Sequence, residues 1–156
     1  MKKQELFYKH KVRTRACGIL IKNDRILLVK HNLEGKAFYA PPGGGVAFGE
    51  TIESGLKREI KEETTIEVMD SHFKFITEYI NPPLHAIEVF FHIKKWSGVA
   101  KKGFDPENST VITDVNWFTV KEIKLMELSE LHHIFHNCNN LRDILEFSGY
   151  IPYPTF

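Results

Sequence analysis

Glu59, Glu62 and Glu63 lie within one short stretch of a run from Thr51 to Thr64 that reads as a helix. At about 100° per residue, Glu63 falls roughly 40° to one side of Glu59 and Glu62 about 60° to the other. The three carboxylates therefore share one arc. Ile52, Leu56 and Ile60 fall in or beside that arc, whereas Lys57 and Lys61 lie on the far side. A plain amphipathic helix opposes its acids to its apolar stripe. Here the two overlap, which places the acids at the edge of the packing face, pointing into a cleft. Read alone, the run from Lys57 to Glu63 is a solvated helix face. The overlap argues for a site instead, and carboxylate oxygens clustered this way suit a hard cation, Mg²⁺ or Mn²⁺.

Two neighbouring features support this. Arg58 stands four residues before Glu62 and can pair with it. Upstream, Ala40-Pro41-Pro42-Gly43-Gly44-Gly45 is the strongest backbone punctuation in the chain. Consecutive glycines allow close approach to a ligand: their carbonyls can meet a metal and their amides phosphate.

These residues resemble a known family, the MutT-like Nudix hydrolases. Their signature has the form G-x5-E-x7-R-E-U-x-E-E-x-G-U, with U a bulky aliphatic residue. Gly44, Glu50, Arg58, Glu59, Ile60, Glu62, Glu63 and Ile66 occupy eight of its nine defined places, over residues 44–66. The departure is Thr65, where the signature has glycine. A glycine there suits a helix end at positive φ, and a β-branched residue is strained, so the helix is expected to end with a different cap.

The resemblance implies an α/β Nudix fold, an α/β/α sandwich around a mixed β-sheet. It implies hydrolysis of a nucleoside diphosphate linked to another group, by water attacking phosphorus with Mg²⁺ or Mn²⁺. Carried over by position, the metal ligands would be Glu59, Glu62, Glu63 and the Gly43 carbonyl. Glu59, Glu62 and Arg58 form the catalytic set, and Glu50 would support the loop–helix junction. The general base stays open among Glu62, Asp105, Glu107 and Asp114. Pro82, sixteen residues beyond Ile66, stands near a spacing found in ADP-ribose-cleaving members. A domain that senses a nucleotide or nucleotide sugar without turnover is the alternative.

The substrate candidates are Arg13 and Arg15 on one face of the first strand, Gly44 and Gly45 in the loop, and Phe90, which could stack on a base or pack in the core. His132 and His136, at i,i+4 on an expected helix, are assigned packing or surface roles.

The elements that position these residues read as follows. Val12–Ile21 and Arg25–Lys30 form a hairpin around Asn23-Asp24, and residues 31–39 are a loop. Strands Phe73–Ile80 and Ala86–Lys94 join across Pro82-Pro83. A loop covers residues 96–110, and Asp114–Phe118 is a short strand before a short helix at Val120–Leu125. Residues 129–147 form one bent helix or two short ones, and the tail 149–156 is irregular. Strands mixed with helices, without strict alternation, favour an α/β sheet with helices packed on it.

The 156 residues suit one domain, residues 1–156. A net charge of +1 supplies no global basic field, so nucleic acid is not favoured as partner. A small nucleotide derivative is the expected partner, and a homodimer is compatible with the sequence. Two widely spaced cysteines suit reduced thiols, and no apolar run suggests a leader or a membrane span, so the expected location is cytoplasmic.

Overall fold

The structure is a computed structural model that describes residues 7–104 and 111–154. The described elements are β1 (Arg13–Ile19), β2 (Ile21–Lys22), β3 (Arg25–Leu33), β4 (Lys36–Ala40), β5 (Gly43–Gly45), α1 (Ile52–Thr64), β6 (Glu67–Asn81), β7 (Leu84–Ser97) and β8 (Ile112–Phe118). After them come α2 (Val120–Lys124), 3₁₀ turns at Leu128–Glu130 and His133–Phe135, α3 (Leu141–Glu146) and β9 (Gly149–Tyr150).

One sheet has the order β5-β1-β7-β6-β9, and β2-β3-β4 with β8 on β3 form a second. The first sheet is mixed: β1 runs parallel to β7 and β6 parallel to β9, while β5 and β6 run antiparallel to their neighbours β1 and β7. Residues alternate sides along β1. Ala16 joins Leu56 and Ile60 of α1, Val89 and Phe91 in one apolar cluster. Cys17 and Ile19 join Phe75, Phe90, Ile134 and Ile144 in another. The sheets are thus covered by α1 on one side and by the C-terminal helical turns on the other. This matches the expected α/β/α sandwich around a mixed sheet.

Five local readings change. Residues 31–39 are not a loop. β3 continues to Leu33 and pairs with β4 through the two-residue turn Glu34-Gly35, both at positive φ (54° and 84°), as a tight hairpin requires. The stretch 129–147 is neither one helix nor two, but two 3₁₀ turns and a short helix. Asn140 interrupts it by accepting the N–H groups of Arg142 and Asp143. The tail is partly ordered, since Gly149–Tyr150 pair with Phe75–Ile76. β6 and β7 also extend beyond their expected ends, closing on Pro82-Pro83 with Asn81 opposite Leu84.

The fifth change concerns Thr65. The helix does end in the left-handed region at this residue, with φ 64°, and the Thr65 N–H donates to the Lys61 carbonyl at 2.9 Å. Thr65 therefore keeps the αL cap without the glycine that would adopt it freely. Its hydroxyl donates to the Val99 carbonyl at 2.9 Å, and Thr64 Oγ1 donates to the Ile60 carbonyl while accepting the Ile66 N–H. These bonds offset part of a left-handed strain of about 1–2 kcal/mol. Thr65→Gly is expected to stabilise the fold by up to about 1 kcal/mol, the relieved strain less the added chain entropy of glycine. Urea denaturation measures it; a loss of stability would show that the hydroxyl bond outweighs the strain.

Candidate active site

The start of α1 is fixed by its own side chains. Thr51 accepts the Ser54 N–H at 3.1 Å as N-cap, and one residue earlier Glu50 Oε1 accepts the Ala47 N–H at 3.0 Å. These bonds tie the glycine strand β5 to the first turn of the helix.

Arg58 then joins the acids into one lattice. Its Nε and Nη2 donate to the two oxygens of Glu50 at 2.8 and 2.9 Å. Its Nη1 donates to Glu59 at 2.9 Å and to Glu62 at 3.2 Å, and its Nη2 also reaches the Gly45 carbonyl at 3.0 Å. The guanidinium fork suits such multiple pairing. The hydrogen bonds from Arg58 and then Ala47 hold the Glu50 carboxyl down at about 2, and the bonds to Glu50 and then Glu59 raise the Arg58 pKa. Glu50 stays ionised wherever the protein is folded near neutrality, as its expected junction role requires.

Gly44 lies against the Glu59 carboxylate so closely that any Cβ would collide with it. Only glycine leaves that space. Glu59 and Glu63 are buried, at 3% and 2% exposure, whereas the Glu62 side chain is 28% exposed. The expected overlap of the acid arc with the packing face is thus present, Leu56 and Ile60 being fully buried beside these acids. At the helix end, the Gly103 N–H donates to the Glu63 carbonyl at 2.9 Å and the Lys101 N–H to Thr64 at 3.1 Å. The segment leading to residue 105 is thereby anchored at the acids.

The remaining candidates divide. The Gly43 carbonyl accepts from Arg15 Nη2 at 3.2 Å, and Arg15 Nη1 pairs with Glu88 at 3.3 Å. The Arg13 guanidinium lies beside Gly45 and over the Tyr8 ring, 4.8 Å from its centroid. Asp114 is exposed on β8 and accepts the Val115 N–H. Asp105 and Glu107 lie outside the described residues.

Phe90 requires a correction. It is fully buried and stacks on Phe75 at 4.7 Å with an 11° tilt, inside the second apolar cluster. Its packing role therefore wins over the stacking of a base. The sequence reading also missed a buried polar group. Glu88, 1% exposed, meets His132 Nε2 at 2.6 Å. Burial alone would raise the Glu88 pKa, but its contacts with His132 and Arg15 bring it below the usual range. The available signal was an acid standing in the otherwise apolar run Ile87-Glu88-Val89-Phe90-Phe91. His132 itself sits at a turn instead of on a helix.

Two cavities lie away from the acids. One of about 760 Å³ lies between Lys9–Val12 and Ile80–His85, and one of about 470 Å³ beneath Ile123–Asn139.

Residues 12–137 match the family model of the NUDIX domain, and Gly44 to Ile66 lie inside that span. The chain belongs to the Nudix family. An ADP-ribose pyrophosphatase of Methanocaldococcus jannaschii is 36% identical over 95 residues, covering 59% of this chain and 56% of that protein. An 8-oxo-dGTP diphosphatase of Haemophilus influenzae is 31% identical over 131 residues, covering 76% and 93%. The chain thus spans little more than half of the first relative's length and nearly all of the second's. A MutT Nudix hydrolase structure from Burkholderia pseudomallei superposes with a TM-score of 0.67 at 22% identity, covering 88% of this chain and 98% of that one. The superposition shows the Nudix fold.

Nudix hydrolases generally use divalent metal ions. Among the described residues, no three acidic, histidine or cysteine side chains already close around one point. The donor set nevertheless fits such an ion. It offers carboxylate oxygens on one helix face, beside Gly44, whose missing Cβ leaves the space that the Glu59 carboxylate takes. Among the described residues no helix is long and apolar enough to cross a membrane.

Proposed function

We propose that this Nudix domain hydrolyses the diphosphate linkage of a nucleoside diphosphate joined to another group, using Mg²⁺ or Mn²⁺. The observation that carries this reading is the Arg58 lattice. One guanidinium holds Glu50, Glu59, Glu62 and the Gly45 carbonyl together at hydrogen-bond distance. A solvated charge run has no reason to be tied to a glycine strand.

In this reading Glu59, Glu62, Glu63 and the Gly43 carbonyl hold the metal, and Arg58 orients the acids. The metal supplies charge neutralisation on the diphosphate and activation of water. Glu62, the most exposed of the three acids, is the described residue best placed to take the proton of the attacking water, with Asp105 and Glu107 beyond the anchored segment as the other candidates. Gly44 and Gly45 let the phosphate chain approach the backbone, and Arg13, alongside Gly45, is positioned to meet its charge.

The substrate is a small nucleotide derivative. The Methanocaldococcus relative favours ADP-ribose-like compounds and the Haemophilus relative oxidised nucleoside triphosphates. Incubation with Mg²⁺ and a panel of ADP-ribose, nucleotide sugars, dinucleoside polyphosphates, (d)NTPs and capped RNA, read by phosphorus NMR, tests the proposal. Cleavage within the phosphate chain of at least one small member is expected. Tight binding without turnover across metals would favour the nucleotide-sensing alternative.

A further inference from the structure

The cavity of about 760 Å³ falls within the size range of a small-molecule site. Its lining combines two chemistries. Val12, Ile80, Leu84 and the Pro82-Pro83 pair give it apolar surface, and Val12 and Ile80 are left exposed there. Lys9, His10, Lys11 and His85 supply the polar part, and no carboxylate is among the described residues that line it. The whole chain balances 21 basic against 20 acidic residues, so this one-sided lining is a local feature. Ammonium groups beside an apolar floor suit an organic anion.

The backbone holds both walls. Arg13 pairs with Ala86, which brings the hairpin end Leu84-His85 beside Val12. The Lys11 N–H donates to the Tyr8 carbonyl at 3.2 Å, closing a turn that fixes Lys9 and His10 on the opposite wall. The Lys11 ammonium rests over the Phe7 ring, 4.7 Å from its centroid.

The cavity also lies within reach of the glycine strand. Val12 stands three residues before Arg15, the residue opposite Gly45, which is roughly 10 Å of extended chain. Arg13 spans that gap: its guanidinium lies beside Gly45 and over the ring of Tyr8, the neighbour of Lys9. A phosphate chain seated on Gly44, Gly45 and Arg13 thus brings its far group to Lys9 and Lys11.

We propose that this cavity takes the group beyond the diphosphate, and that this group carries an acidic substituent, a phosphate or a carboxylate, met by Lys9 and Lys11. This deepens the hydrolase reading above and rests on it. The apolar floor takes the body of the group and the lysines its charge.

Two matched pairs test this on the full chain with Mg²⁺: UDP-glucuronate against UDP-glucose, and ADP-ribose phosphorylated on its terminal ribose against ADP-ribose. Within each pair only the acidic substituent differs. In at least one pair the acidic member is expected to have the higher kcat/KM, by about tenfold and through KM. Lys9→Ala combined with Lys11→Ala, both exposed positions, is expected to bring the ratio between the two members to within about twofold of one. Equal or lower kcat/KM for the acidic member in both pairs overturns the proposal, and so does a preference that survives in the double variant. A wild type that cleaves neither pair but hydrolyses a (d)NTP overturns it as well and leaves the hydrolase reading standing. A wild type that cleaves nothing overturns the hydrolase reading, and calorimetric Kd values for the same pairs then decide the cavity: tighter binding of the acidic member supports the proposal, and equal or absent binding overturns it.

Discussion

Glu63→Gln, and independently Glu62→Gln, are expected to lower kcat by two to three orders of magnitude, about 3–4 kcal/mol of transition-state stabilisation. The fold should remain, because each exchange keeps the side-chain shape and removes only charge. Glu63 is buried at the end of α1, with the Gly103 N–H on its backbone carbonyl, so the change alters the oxygens offered to a cation and not the helix end. Removing a charge from a crowded set of acids also relieves repulsion. The melting temperature of Glu62→Gln, whose side chain is partly exposed, is accordingly expected to stay within a few degrees of the wild type. Steady-state kinetics beside thermal denaturation separate the two effects. Wild-type rates in both variants would remove these acids from the chemistry.

Arg58→Lys carries the second large effect, and it combines stability with activity. The guanidinium makes five hydrogen bonds, to Glu50, Glu59, Glu62 and the Gly45 carbonyl. A lysine offers one compact ammonium that cannot span them. At least two carboxylates lose their partner, one of them, Glu59, almost fully buried. Hydrogen bonds to charged groups contribute about 1.5–3 kcal/mol each, and Arg58 is itself a third exposed, so a net destabilisation of about 2–3 kcal/mol is expected. Turnover should fall with it by at least about tenfold. Mg²⁺ should recover part of the lost stability, since a cation can replace the missing charge among the acids. Chemical denaturation with and without Mg²⁺ reads this directly. Unchanged stability would mean that the lattice is ornamental.

How much of this was legible in the sequence follows from the range of each interaction. The helix and its acid face were readable because their signals are local: the 3.6-residue period and the Arg58–Glu62 spacing both fit within four turns. The hairpin at Asn23-Asp24 was readable for the same reason. β4 was not, since Glu34-Gly35 is a weaker turn signal than asparagine–glycine and Lys36 to Tyr39 lacks clean alternation. The helix expected at 129–147 failed because its apolar spacing also suits separate turns, once Asn140 caps a new start. Thr65 followed its tertiary setting over its own preference, helped by the bond to Val99. Glu88 and His132 are 44 residues apart, and no periodicity links residues brought together by strand pairing. That same pairing buried Phe90, which the strand pattern alone left free to face a ligand.

The central claim is that the acids of α1 drive hydrolysis through a divalent cation. The most direct test follows phosphate-chain cleavage of the best substrate by the purified wild type, first in excess EDTA and then after Mg²⁺ is restored. Cleavage should be absent in EDTA and return in full with Mg²⁺. Undiminished cleavage in EDTA would contradict the account, because Glu59, Glu62 and Glu63 would then have no ion to hold.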